Sequence, residues 1–82
     1  PAPMTPNFRR WRTTVTVQDT LNTVAQYLGP ERARQEFEAF GDTQRITLDL
    51  KAPADFRLLR HAEHLIASSI GTASSRVVMS LL

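Results

Sequence analysis

The sequence predicts an all-α fold: a small helical bundle of four helices, with a short extended segment at residues 43–50. Three observations lead there. Apolar residues recur at three- and four-residue steps through most of the chain beyond position 16, the period of a helix face. Glycine and proline interrupt that pattern at a few discrete places rather than throughout. And 82 residues without a cysteine leave only a compact apolar core to hold one domain together.

The elements follow in order. Residues 1–14 hold three prolines and a basic cluster and read as an arm or linker; residues 15–82 read as the helical domain. Thr16, with Asp19 three residues on, forms a capping-box pattern in which Asp replaces the usual Glu or Gln. Val17, Leu21, Val24, Ala25 and Leu28 then line one face of a first helix. Gly29-Pro30 closes it and opens the next, because Gly suits a position past a helix end and Pro suits the first helical position. The second helix, expected over residues 30–40, places Ala33, Phe37 and Phe40 on one side and Glu31, Arg34 and Glu38 on the other; Gly41 is expected to stop it.

Ile46, Leu48 and Leu50 alternate with Arg45, Thr47 and Asp49, a strand period. An extended loop pinned by its apolar side chains is the favoured reading, with a two-stranded pairing to residues 14–17 as the alternative. From Pro53 to Leu82 the helical period returns. Asp55 sits in the first turn, where a carboxylate favours the positive end of the helix. Phe56, Leu59, Ala62, Ile66, Ile70, Ala73, Val77 and Leu81 form one stripe of about seven turns, widened by Leu58 and Leu65. Within it, Ser68, Ser69, Gly71, Ala73 and Ser74 belong to a run of small residues. A helix breaks at such a glycine, or another helix packs closely on the run. A break near Gly71-Thr72 is favoured, with Thr72 as the new N-cap.

Catalytic machinery is not visible. A chain this short buries only about 60–65% of its unfolded surface and has little stability to spare for an enclosed active site. His61 and His64 share a helix face, but a closed metal site needs four ligands and no thiolate can contribute, so both are expected at the surface. A phospho-accepting histidine would want a following basic residue and proline, which are absent. No serine lies in a Gly-x-Ser-x-Gly turn, and Gly29, Gly41 and Gly71 are too sparse to write a phosphate-binding loop. No cofactor, metal or enzymatic role is expected. No stretch of 18 apolar residues and no signal peptide are seen.

The net charge is +2, and nine of the ten basic residues are arginine. Arg9, Arg10 and Arg12 surround Trp11. The plain reading is a solvated arm with Trp11 folded back onto the core. As a functional segment the cluster suits a membrane-proximal position, with arginines on the cytoplasmic side and Trp at headgroup level. A nucleic-acid arm is the least favoured reading. The first residue is not Met, and Ser80-Leu81-Leu82 falls inside an apolar pattern, so the expectation is a domain excised from a longer protein.

Two segments carry a family resemblance. Residues 27–37, Tyr-Leu-Gly-Pro-Glu-Arg-Ala-Arg-Gln-Glu-Phe, and residues 60–78, the run from Arg60 through Ile70-Gly71 to Ser75-Arg76-Val77-Val78, resemble the STAC domain, the solute-carrier and two-component-associated component. The second segment is the more specific, with its run of Ala, Gly and Ser centred on Ile-Gly. The resemblance covers residues 15–82 and is weakest at 41–52. It implies a small bundle on the cytoplasmic side of the inner membrane, part of an integral membrane protein such as the CbrA-like sensor histidine kinases. There it would connect a sodium:solute symporter-like domain to a kinase module, with self-association an open question. The alternative is a stand-alone protein- or ligand-binding module of a transport system. The small-residue run is the candidate packing and signalling element, and a Gly71→Leu substitution is expected to wedge helices apart.

Overall fold

The computed structural model describes residues 14–82; the cluster Arg9, Arg10, Trp11 and Arg12 lies outside the described residues. The fold is all-α, with four helices: α1 Val17–Leu28, α2 Pro30–Gln44, α3 Phe56–Ile70 and α4 Thr72–Ser80. α1 packs on both α2 and α3, and α4 packs on α3. The core is Val17 and Val24 of α1, Ala33, Phe37 and Phe40 of α2, and Leu58, Ala62, Leu65 and Ile66 of α3.

The start of α1 satisfies its donors completely, which explains why it begins where it does. The Thr16 hydroxyl accepts from the Asp19 amide at 3.1 Å, and the Asp19 carboxylate accepts from the Thr16 amide at 3.0 Å, so the capping box is formed. The amides of Val17 and Gln18, two further donors without intrahelical partners, go to the carbonyls of Ala52 and Leu50, each at 3.0 Å. Thr20 is fully buried, and its hydroxyl is satisfied by donating to the Thr16 carbonyl at 3.0 Å.

Residues 46–54 therefore reach α1 through main chain rather than as a ribbon. The Ala54 amide donates to the Val15 carbonyl at 2.7 Å, and one antiparallel bridge joins Thr16 to Pro53. No strand forms among the described residues, and residues 43 and 44 of the expected extended segment belong to α2. Ile46 and Leu48 pack against the core from this loop, whereas Leu50 stays largely exposed.

Gly41 does not end α2. The helix passes through it to Gln44, and the turn is made by Arg45 in the left-handed conformation, φ 58° and ψ 44°. The Ile46 amide donates to the Gly41 carbonyl at 2.9 Å and the Arg45 amide to the Asp42 carbonyl at 3.2 Å, the paired bonds of a Schellman ending. Gly41 serves close approach instead. It is buried, and a Cβ built there would lie 3.1 Å from the Ile46 carbonyl oxygen.

α3 begins at Phe56, three residues later than Pro53, because the Asp55 carboxylate accepts from the Arg57 amide and fixes the N-cap. It ends at Gly71, and the single seven-turn stripe does not exist. Gly71 (φ 94°, ψ 158°) is both the end of α3 and the N-cap of α4; Thr72 is the first helical residue rather than the cap. The break rotates the second half of the stripe away from the core. Val77 and Leu81 are 61% and 74% exposed; Phe56, at the first position of α3 and ahead of the break, is 69% exposed, and the buried residues of α3 are Leu58, Ala62, Leu65 and Ile66.

The two joints are alike. Gly29 has φ 92° and ψ 149°, nearly the values of Gly71, a region that only glycine occupies readily. At both joints the glycine amide donates to the carbonyl four residues back, and the glycine carbonyl accepts from the amide four residues ahead. Burial follows the same register. Four residues after each glycine stand Ala33 and Ser75, five before stand Val24 and Ile66, and nine before stand Thr20 and Ala62, all with 0% exposure. The fold is thus two helical corners of one design, α1–Gly29–α2 and α3–Gly71–α4, held together by α1 against α3.

Candidate functional site

The hydroxyls and imidazoles of the second corner are placed by packing. The hydroxyls of Ser68, Ser75 and Ser80 each donate to the carbonyl three residues back, Leu65, Thr72 and Val77, at 2.6, 2.8 and 2.6 Å. His64 is exposed, as expected, but His61 is not a surface residue. It is half-buried and stacked on Phe40, ring centroids 4.9 Å apart and planes at 27°, with its Nε2 buried and without a hydrogen-bond partner. It joins α3 to α2 as a flat ring rather than as one of a histidine pair. Among the described residues no group of three or more His, Asp or Glu is arranged to hold a metal ion.

The small-residue run is split by the joint. Ser68, Ser69, Ala73 and Ser74 are all exposed, and the small side chain between this chain's own helices is Ser75. Nothing lies within 4 Å of a Cβ built at Gly71. A Cβ there would therefore meet no neighbour, only the strain of the positive φ.

Two grooves remain. The larger, about 500 Å³, runs between α1, α2 and the 46–50 loop, with Leu21, Phe37 and Leu48 among its apolar walls and Arg34, Glu38 and Asp42 at its edge. Arg34 is held in place by Glu31 at 2.7 Å and Glu38 at 2.9 Å. The hydrogen bond to Glu38, then that to Glu31, raises the guanidinium above its ordinary pKa. With Arg34 occupied by two carboxylates, Asp42 leaves this edge locally negative.

The smaller groove, about 250 Å³, has an apolar wall of Val15, Phe56, Leu59, Met79 and Leu82. It gathers the beginning of the described chain, the first turns of α3 and the last turn of α4. The Arg60 guanidinium lies over the Phe56 ring at 5.8 Å, and Arg76 approaches Glu63 at 3.8 Å beside it. Neither the sharing of one groove by Val15 and Leu82 nor the loop wall of the larger groove has a signal in residue spacing, because both depend on how the corners pack.

Comparison with protein-family models, with curated proteins and with solved structures finds no match.

Proposed function

We propose that this chain is a non-catalytic connector, relaying the state of a sodium:solute symporter-like membrane domain to a two-component histidine kinase module on the cytoplasmic side. One observation carries the reading: Val15 and Leu82 line the same groove, against Phe56, Leu59 and Met79. Where the segment entering the first helix and the segment leaving the last share one apolar seat, a movement of one reaches the other through a few side chains. The two segments that resemble the STAC domain support it, since they are the segments that contain the glycine joints. A relay needs an element with two arrangements. The α3–α4 corner is the candidate, because α4 is held by α3 and by a single buried residue, Ser75.

The test is made in the intact receptor with Leu59→Ala and Met79→Ala together. Solute transport continues while kinase autophosphorylation no longer follows the solute. Kinase output that still tracks solute as in the unmodified receptor overturns the relay.

The larger groove favours a second reading, a regulatory module that binds a partner between α1, α2 and the 46–50 loop. Titration of the isolated domain with cell extract distinguishes the two. Chemical-shift changes clustered at Leu21, Phe37 and Leu48 favour the binding module, and their absence favours the connector.

A further inference from the structure

The two grooves are built on matching positions of the two corners. Val17 and Phe37 of the larger stand twelve residues before and eight after Gly29; Leu59 and Met79 of the smaller stand twelve before and eight after Gly71. The larger groove has a cover from the chain itself. The segment after α2 crosses it and lines it with Ile46, Leu48 and Leu50, two residues apart as in an extended chain. The segment ahead of α1 gives the smaller groove, among the described residues, only Val15. Phe56 in its wall is left 69% exposed.

The backbone around Val15 selects the missing part of the cover. Thr16 is extended (φ −90°, ψ 166°) and bridged antiparallel to Pro53, and the Ala54 amide donates to the Val15 carbonyl at 2.7 Å. In an antiparallel pair each step back along one segment is a step forward along the other. The line of this pair, extended back from Val15, therefore passes Asp55 and Phe56, along the smaller groove and away from Leu50. We propose that the N-terminal arm follows this line and closes the smaller groove within the same chain, seating Trp11 on Phe56 and Leu59. Side chains alternate along an extended chain, so Thr13, Trp11 and Arg9 share the face of Val15. Arg10 and Arg12 fall on the other face, clear of the Arg60 guanidinium over the Phe56 ring. Arg9 comes to Glu63, the one carboxylate of the groove's lining, beside Arg76 at 3.8 Å. The lengths agree. Thr13 to Arg9 spans about 13 Å extended, and Phe56 to Glu63 occupies about 10 Å of α3. A segment tethered at the edge of the groove also meets it at a higher effective concentration than a free peptide does.

The contact holds or fails whatever the relay does, and its test uses the 82-residue chain alone. Trp11 is the one tryptophan, so its fluorescence reads the contact directly. Its emission is expected to be blue-shifted from that of the free 1–13 peptide and several-fold less quenched by acrylamide, equally at all protein concentrations. Phe56→Glu, at an exposed position, brings both to the free-peptide values, while Leu50→Glu, in the wall of the larger groove, changes neither. Far-UV circular dichroism checks that both variants stay helical. A second measurement decides independently of them. In a chain with no cysteine of its own, Thr13→Cys with Phe56→Cys closes an intramolecular disulfide under mild oxidation much faster than Thr13→Cys with Leu50→Cys. Free-peptide fluorescence in the unmodified chain, shielding lost with Leu50→Glu or kept with Phe56→Glu, shielding that grows with concentration, or equal rates of disulfide closure overturns the proposal.

Discussion

Replacing Gly41 by alanine sets two effects of opposite sign against each other, and the geometry decides between them. In a helix interior, glycine to alanine stabilises by about 1 kcal/mol, through propensity and the entropy of the unfolded chain. At Gly41 the new Cβ would stand 3.1 Å from the Ile46 carbonyl oxygen, and 3.6 Å from Leu48 Cγ. The Leu48 distance is ordinary contact; the Ile46 distance requires the backbone to move by a few tenths of an ångström. Ile46 is poorly placed to move. Its amide is bonded to the Gly41 carbonyl at 2.9 Å, Arg45 before it is held in the left-handed conformation, and its side chain packs on the core. Overpacking against a fixed neighbour costs about 1–3 kcal/mol. The difference is a net loss of about 1 kcal/mol, or a fall in Tm of roughly 4–8 °C for a domain of this size. Thermal unfolding followed by far-UV circular dichroism measures it. A Tm that rises would show that the 46–48 loop yields freely and that close approach is not why glycine stands there.

Three further outcomes are expected. At Gly71, φ 94° and ψ 158° impose a strain of about 1–3 kcal/mol on any side chain, while the surrounding space is open. Gly71→Ala and Gly71→Leu should therefore lower the denaturation midpoint by similar amounts, and a far larger loss for leucine would restore the wedge. Arg45→Gly removes the penalty of φ 58° at the end of α2 and should stabilise by about 1 kcal/mol; a lower urea midpoint would contradict that account. The Arg57 amide, and then its side chain, hold the Asp55 carboxyl below its ordinary value. A depressed folded pKa gives stability that is complete above the unfolded value, about 3.9, and lost as pH falls through the lower folded value. The Tm of the unmodified chain should thus exceed that of Asp55→Ala at neutral pH, and the gap should close as pH falls below the unfolded carboxyl value; a gap that stays constant through acid pH counts against the cap.

The legible parts of the fold were those written in local chemistry. Thr16 and Asp19 announce a reciprocal cap whose partners are three residues apart, and Gly29-Pro30 and Gly71 mark the joints without tertiary information. Gly41 was misleading because a glycine that ends a helix and one that admits a neighbour look the same in one dimension. The ending lies at Arg45, a residue with no special preference for positive φ. The α3–α4 stripe failed for a related reason: period survives a one-residue joint, but direction does not. What α1 selects is Leu58, Ala62, Leu65 and Ile66, leaving Phe56, Val77 and Leu81 outside. His61 looked like half of a surface pair because Phe40, the ring it stacks on, is far away in sequence. For the candidate site, the small residues were visible and their exposure was not, since exposure is set by the packing of one corner on the other.

The loop that closes the start of α1 ties local events to distant ones. The amides of Val17 and Gln18 are bonded to the carbonyls of Ala52 and Leu50 respectively, on the far side of the whole second helix in sequence. Their exchange with deuterium in solvent therefore reports the attachment of the 46–54 loop and not the fraying of α1 itself. The first turn of the first helix becomes secure only after the chain leading into the third has docked. Loss of either corner is felt at these two amides, and they are a built-in gauge of whether the domain is holding together.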